Sequence, residues 1–175
     1  MFGKKSVPLS FLIFLCLGMS ELSAQTQGLE IGNIAPEIEL TSPNGNTITL
    51  SSLKGRVVLI DFWATWCAPC VQEQSELAGL YKKFNKSGNP KGQIFEIYGV
   101  SLDSKKANWE SGIANMKISW IQVSDLKFWR SPVAKTYQIQ ELPYNILLDA
   151  KGIIRAKNLH GADLVQGIAN LLYQK

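Results

Sequence analysis

Residues 57–70 read Val57-Val58-Leu59-Ile60-Asp61-Phe62-Trp63-Ala64-Thr65-Trp66-Cys67-Ala68-Pro69-Cys70. The first seven form a nearly continuous aliphatic and aromatic run, the pattern of a strand buried on both faces. Two cysteines spaced C-x-x-C follow at once. From Pro69 the apolar period changes. Val71, Leu77, Leu80, Tyr81 and Phe84 recur near every 3.6 residues up to Gly88, which predicts a helix. The stretch therefore reads as a strand running into a helix, with the cysteine pair at the junction.

That junction is a place where thiol chemistry is favoured. The thiolate is the nucleophile in disulfide exchange, and a free cysteine is mostly protonated at neutral pH. A helix N-terminus presents unpaired N–H groups and the positive end of a dipole, both of which stabilise a thiolate. Cys67 is accordingly the expected attacking thiol. Cys70, one turn later, is the expected resolving thiol. Pro69 suits the first turn, where no N–H donor is needed.

Other uses of the motif fit less well. C-x-x-C-H would attach haem, but Val71 stands at the histidine position. A zinc site needs four ligands. Outside the N-terminal segment the chain offers two cysteines and one histidine, His160. As a structural staple, a bridge closing so short a loop removes little chain entropy. A peroxidatic cysteine in a related fold is accompanied by an upstream proline and threonine, and Ile60 stands where that proline would be.

Outward from the junction the chain alternates strands and helices. Ile38-Glu39-Leu40 and Thr47-Ile48-Thr49-Leu50 predict a hairpin about Pro43-Asn44-Gly45-Asn46, Asn-Gly being a strong turn signal. Ser51 to Gly55 is a further turn. Downstream come a strand over 94–100, a helical insert over 103–116 and a short helix over 131–137. Tyr144 to Leu148 and Ile153 to Ala156 predict a hairpin. A closing helix over 162–173 turns Leu164, Ile168, Leu171 and Leu172 inward. This order indicates an α/β fold in one domain over 34–175, with residues 25–33 as a flexible polar lead-in. Trp63, Trp109, Trp120 and Trp129 are expected in the core, and His160 is expected to be structural or exposed.

Bulk properties agree with a globular protein. Apolar residues make up 46% and charged residues 18% of the 175, which argues against disorder. Lys82-Lys83 and Lys105-Lys106 are isolated pairs on solvated helix faces, so no nucleic-acid partner is expected. The N-terminus reads as a secretory signal: Lys4 and Lys5, an apolar run from Leu9 to Leu17, then Leu22-Ser23-Ala24. Cleavage is expected after Ala24. The alternatives are an uncleaved anchor, for which the run falls short of about 20 apolar residues, and lipidation at Cys16, which lacks small residues before it. Residues 1–24 carry two lysines and one glutamate, so their loss lowers the formal charge from +4 to +3. Only Cys67 and Cys70 then remain as cysteines.

The stretch VVLIDFWATWCAPC resembles the thioredoxin superfamily, and more narrowly its exported TlpA-like and ResA-like branch. Ala35-Pro36 with its hairpin, Ser52-Leu53-Lys54-Gly55, the insert at 103–116 and Leu142-Pro143 followed by Leu148-Asp149-Ala150-Lys151-Gly152 carry the resemblance across most of the chain. It implies a thioredoxin fold with an N-terminal β-hairpin extension and a central helical insert. It also implies roles for further residues. Asp61, six before Cys67, matches the buried acid that takes the Cys70 proton. Many members of the branch lack that acid, so Asp61 departs toward thioredoxin itself. Glu73 matches a glutamate that tunes thiol pKa values from the Cys70 face of the helix. Pro143 matches the cis-proline facing the disulfide, with Leu142 presenting its backbone to substrate. Trp66, Ala68 and Pro69 form the apolar rim about the thiolate. Ser75 and Tyr144 depart from the proline and threonine usual in the family.

The function implied is an exported thiol–disulfide oxidoreductase of the periplasm or cell envelope, reducing disulfides of client proteins. Apocytochrome c and misoxidised envelope proteins are the expected clients. A membrane-associated donor would re-reduce the pair, membrane contact would arise only from an uncleaved signal, and no cofactor beyond the redox-active Cys67–Cys70 disulfide is implied. An oxidase or isomerase donating its disulfide, and a non-catalytic binding module of the same fold, stay open.

Overall fold

A computed structural model describes residues 26–86, 91–92 and 94–173. The expected signal segment, with its cleavage point and Cys16, lies outside the described residues. Seven strands form one sheet in the order β2-β1-β5-β4-β3-β6-β7. They are β1 (Glu39–Thr41), β2 (Thr47–Thr49), β3 (Val57–Trp63), β4 (Phe95–Ser101), β5 (Ile121–Ser124), β6 (Tyr144–Leu148) and β7 (Ile154–Lys157). The helices are α1 (Ala68–Phe84), α2 (Lys106–Asn115), α3 (Pro132–Thr136) and α4 (Gly161–Tyr173). Strands β3, β4 and β5 run parallel, while β6 is antiparallel to β3 and β7 to β6. The N-terminal hairpin β1–β2 joins the sheet by one antiparallel pairing, Thr41 with Ser124.

β3 is central, and all seven of its residues are buried. Its side chains alternate between two apolar clusters, as strand geometry requires. Val58, Ile60 and Phe62 join Tyr98, Val100, Ile146, Trp109 and both cysteines on one side. Val57 and Leu59 join Leu77, Phe84, Leu164, Ile168 and Leu172 from α1 and α4 on the other. The inward set expected for α4 is confirmed for Leu164, Ile168 and Leu172, with Leu171 partly buried.

Several expectations need correction. The lead-in is tied to the sheet: Ile34 bridges Gln27 and Ile153, and the Gly32 N–H donates to the Ile154 carbonyl at 2.9 Å. β5 was not foreseen, because Gln122 and Ser124 are polar yet buried. Trp63 Nε1 donates to Gln122 Oε1 at 2.8 Å, and the Ser124 hydroxyl donates to the Ser101 carbonyl at 2.8 Å, so each has a partner on a neighbouring strand, although the buried Gln122 Nε2 has none. On α1, Val71 is exposed and Gln74 is buried, the reverse of the apolar count. Trp63, Trp109 and Trp120 are core residues, but Trp129 is exposed.

Candidate active site

The end of β3 delivers Ala64, Thr65 and Trp66 to the start of α1, where Cys67 is the N-cap. Its extended backbone ends the strand geometry, and the Cys70 N–H donates to Cys67 Sγ at 3.2 Å. The two sulfurs are bonded, with the Cα atoms 5.2 Å apart. Cys67 is 6% exposed and Cys70 0%, while Ala68 and Pro69 stand exposed between them. Of the two cysteines only Cys67 keeps any exposed surface.

Thr65 is anchored from the next strand. Asp103, just beyond β4, accepts the Thr65 N–H at 3.1 Å and the Thr65 hydroxyl at 2.5 Å. The same carboxylate accepts the Ser101 hydroxyl at 2.8 Å. Asp103 is buried, so this clasp fixes the approach to Cys67 from inside the protein. No sequence motif pointed to it.

Trp66 is exposed, as a rim residue should be. Its ring meets Phe128 at 5.1 Å and Trp129 at 6.0 Å between centroids, and these two are exposed as well. Phe128 sits at a left-handed φ of 56°, unusual for a side chain of this size. Asp125 braces the loop, accepting the Lys127 N–H at 3.1 Å and the Ser131 hydroxyl at 2.8 Å. The Leu142–Pro143 bond is cis. Because Tyr144 pairs with Phe62 across β3 and β6, Pro143 lies at the cysteine end of β3. A cleft lined by Glu37, Leu50, Arg56, Val58 and Asp149 lies at the opposite end of β3, away from the sulfurs.

Asp61 is buried in the middle of β3, six residues before Cys67. Removal from water pushes its carboxyl up to about 7, with the Glu73 charge adding to the rise. The Gln74 amide opposes this by donating to Asp61 Oδ2 at 3.1 Å, while the buried Gln74 Oε1 has no partner. An acid poised there can accept or return a proton at neutral pH. In the register of the sheet Asp61 faces Gly99 on β4 and Asn145 on β6.

Glu73 lies three residues after Cys70 on α1 and is half-buried. Its side chain is 12% exposed, and its Oε1 lies 2.7 Å from His160 Nδ1. His160, expected to be structural or exposed, is therefore part of this neighbourhood. Ser75 is exposed on the unbroken α1, where it donates to the Gln72 carbonyl. Among the described residues, no group of three or more His, Cys, Asp and Glu side chains is placed to hold a metal ion.

A family model described as the AhpC/TSA family matches residues 31–157. The chain is also similar to thiol-disulfide oxidoreductase ResA of Bacillus subtilis, with 31% identity over 81% of this chain and 76% of that one. The chain belongs to the AhpC/TSA family of the thioredoxin superfamily. Among its relatives of known structure, a thiol-disulfide oxidoreductase from Bacteroides fragilis is 35% identical over 80% of this chain and all of the other, with a TM-score of 0.73. The thioredoxin domain of a Bacteroides vulgatus thiol-disulfide oxidoreductase is 35% identical over 83% and 99%, with a TM-score of 0.74. With these relatives and a bonded Cys67–Cys70 pair at the helix start, the protein is a thiol–disulfide oxidoreductase.

Proposed function

We propose that this oxidoreductase works as an exported reductase of client-protein disulfides in the periplasm or cell envelope. What supports the direction is the buried Asp61 carboxyl, pushed up to about 7 by burial, on the strand that leads to a fully buried Cys70. A reductase must deprotonate its second thiol to complete the exchange, and a base inside the protein meets that need.

The reaction balances without a prosthetic group. The Cys67 thiolate attacks one client sulfur, forming a mixed disulfide and expelling the other client sulfur, which takes up a proton. Asp61 then takes the Cys70 proton. The Cys70 thiolate attacks Cys67 Sγ, the mixed disulfide breaks, and the second client sulfur leaves and is protonated. Cys67–Cys70 is left oxidised, and a membrane-associated dithiol donor restores it. Glu73 tunes the thiols from the same helix face. Trp66, Ala68, Pro69, Leu142 and Pro143 receive the client backbone, and Phe128 and Trp129 extend the apolar rim.

Among the described residues no helix is long and apolar enough to cross a membrane. Export rests on the N-terminal signal pattern, and the clients proposed are apocytochrome c and misoxidised envelope proteins. The test is the equilibrium potential of the pair in glutathione or dithiothreitol buffers. A value near the thioredoxin figure of about −270 mV is expected, whereas one near the DsbA figure of about −120 mV would make this protein an oxidant. Function retained by Cys67→Ala would instead mark a binding module.

A further inference from the structure

Glu73 and His160 are 87 residues apart in the chain and 2.7 Å apart in space. The segment that brings His160 there is clamped from below. The Asn145 side chain accepts the Leu159 N–H at 3.0 Å and donates to the Leu159 carbonyl at 2.7 Å. The Asn158 N–H donates to the Asn145 carbonyl at 2.7 Å. Asn145 is itself the residue opposite Asp61 in the sheet. Asn158, at a left-handed φ of 54°, turns its Oδ1 to within 3.0 Å of His160 Nε2.

Two contacts thus converge on α1 from the sheet side: His160 on Glu73, and Asp61 on the adjacent Gln74. Both imidazole nitrogens face oxygen acceptors. A neutral ring donates to only one of them, while a protonated ring donates to both. The Glu73 side chain is 12% exposed and that of His160 44%, so His160 is the member of the pair that meets solvent.

We infer that His160 is a positioning residue for the dithiol reaction: it fixes and offsets the Glu73 carboxylate, and through it sets the pH at which Asp61 can take the Cys70 proton. The inference rests on the role given to Asp61 under Proposed function. The proton that Asp61 removes from Cys70 is held on Asp61 and returns to Cys70 on re-reduction. The groups bearing on His160 from packed elements are Glu73 on α1 and Asp61 on β3. On its own segment the flanking charges are Lys157, which pairs with Glu30 at 3.6 Å, and Asp163 in the first turn of α4. The electrostatics of Asp61 run in the same sense, since Glu73 raises its pKa and His160 lowers it.

The test is a single-turnover assay of the dithiothreitol-reduced protein with a peptide disulfide, followed from pH 5 to 9 in wild type, His160→Ala, His160→Gln, Glu73→Gln and the Glu73→Gln/His160→Ala double variant. His160→Ala should move the acid limb up by about half a pH unit, a loss of about threefold at a pH on that limb. His160→Gln keeps a donor toward Glu73 without a titratable ring, and should recover part of the shift. In the Glu73→Gln background His160→Ala should shift the limb much less, leaving only the direct action of the imidazole on Asp61. An unmoved acid limb, a loss equal at every pH, or an undiminished effect in the Glu73→Gln background would overturn the inference. The wild-type potential is decided separately, so an oxidising value would sink the reductase reading without settling the part played by His160.

Discussion

Asp103 holds Thr65 by two hydrogen bonds, one to its backbone N–H at 3.1 Å and one to its hydroxyl at 2.5 Å, two residues ahead of Cys67. The attacking sulfur is therefore placed from β4 as well as from α1. Asp103→Ala leaves the half-buried Thr65 N–H and the buried Ser101 hydroxyl without their acceptor. It should cost about 2–3 kcal/mol in chemical denaturation. It should also slow exchange by about ten- to hundredfold as Trp66 and Cys67 drift. Asp103→Asn retains one acceptor oxygen and should lose less of both. Full activity in a folded Asp103→Ala protein would show that the clasp does not place Cys67.

Asp61 gives stability a pH dependence whose sign is fixed by the direction of its shift. Its carboxyl moves from 3.8 to about 7 on folding. Between those values the unfolded chain loses a proton that the folded chain keeps. Stability is then fully present below about pH 4 and falls as pH rises toward 7, by on the order of 4 kcal/mol. Asp61→Asn should remove this fall in the oxidised protein and make the variant the more stable of the two at pH 8. Denaturant melts of both proteins at pH 4, 6 and 8 measure it, and parallel curves would contradict the assignment.

Trp129 lies outside the core, so its removal should leave stability within about 0.5 kcal/mol. Its ring nevertheless extends the surface of Trp66 beside the disulfide. Trp129→Ala should therefore lower kcat/KM on a polypeptide disulfide by about three- to tenfold, the worth of one aromatic contact. Rates with oxidised glutathione and the equilibrium potential should stay unchanged. Equal losses on both substrates would mean that the ring acts on the sulfurs rather than on the client.

The parts legible in the sequence are those whose signal is local. Val57 to Trp63 is buried on both faces and reads so, Asn44-Gly45 turns the hairpin, and the spacing of Leu164, Ile168 and Leu172 shows the inward face of α4. Cys67 and Cys70 announced themselves by their place at the strand–helix junction. What escaped depends on distant partners. Gln122 is tolerated in a buried strand because Trp63 donates to it, and because Gly99 leaves it room: a Cβ there would come within 2.1 Å of the Gln122 amide. Val71 faces outward into a shallow groove with Thr65, Asn108 and Met116, so the periodicity of α1 misleads at its first turn. Trp129 is apolar by type but is carried to the surface by a loop braced on Asp125. His160 meets Glu73 only because Asn145 clamps the intervening segment, and nothing near it in the chain records that.

Gln74 gives the buried acid a neighbour with two faces. One edge of its amide is a donor and the other an acceptor. Ionised Asp61 can accept only from the donor edge, the arrangement present at 3.1 Å. Protonated Asp61 has a hydrogen to give, and the amide oxygen without a partner lies on the same side chain, one rotation away. A lysine there would lock the acid charged, and a leucine would lock it neutral. Glutamine is indifferent between the two, which lets a proton come and go in the interior without any other side chain having to move.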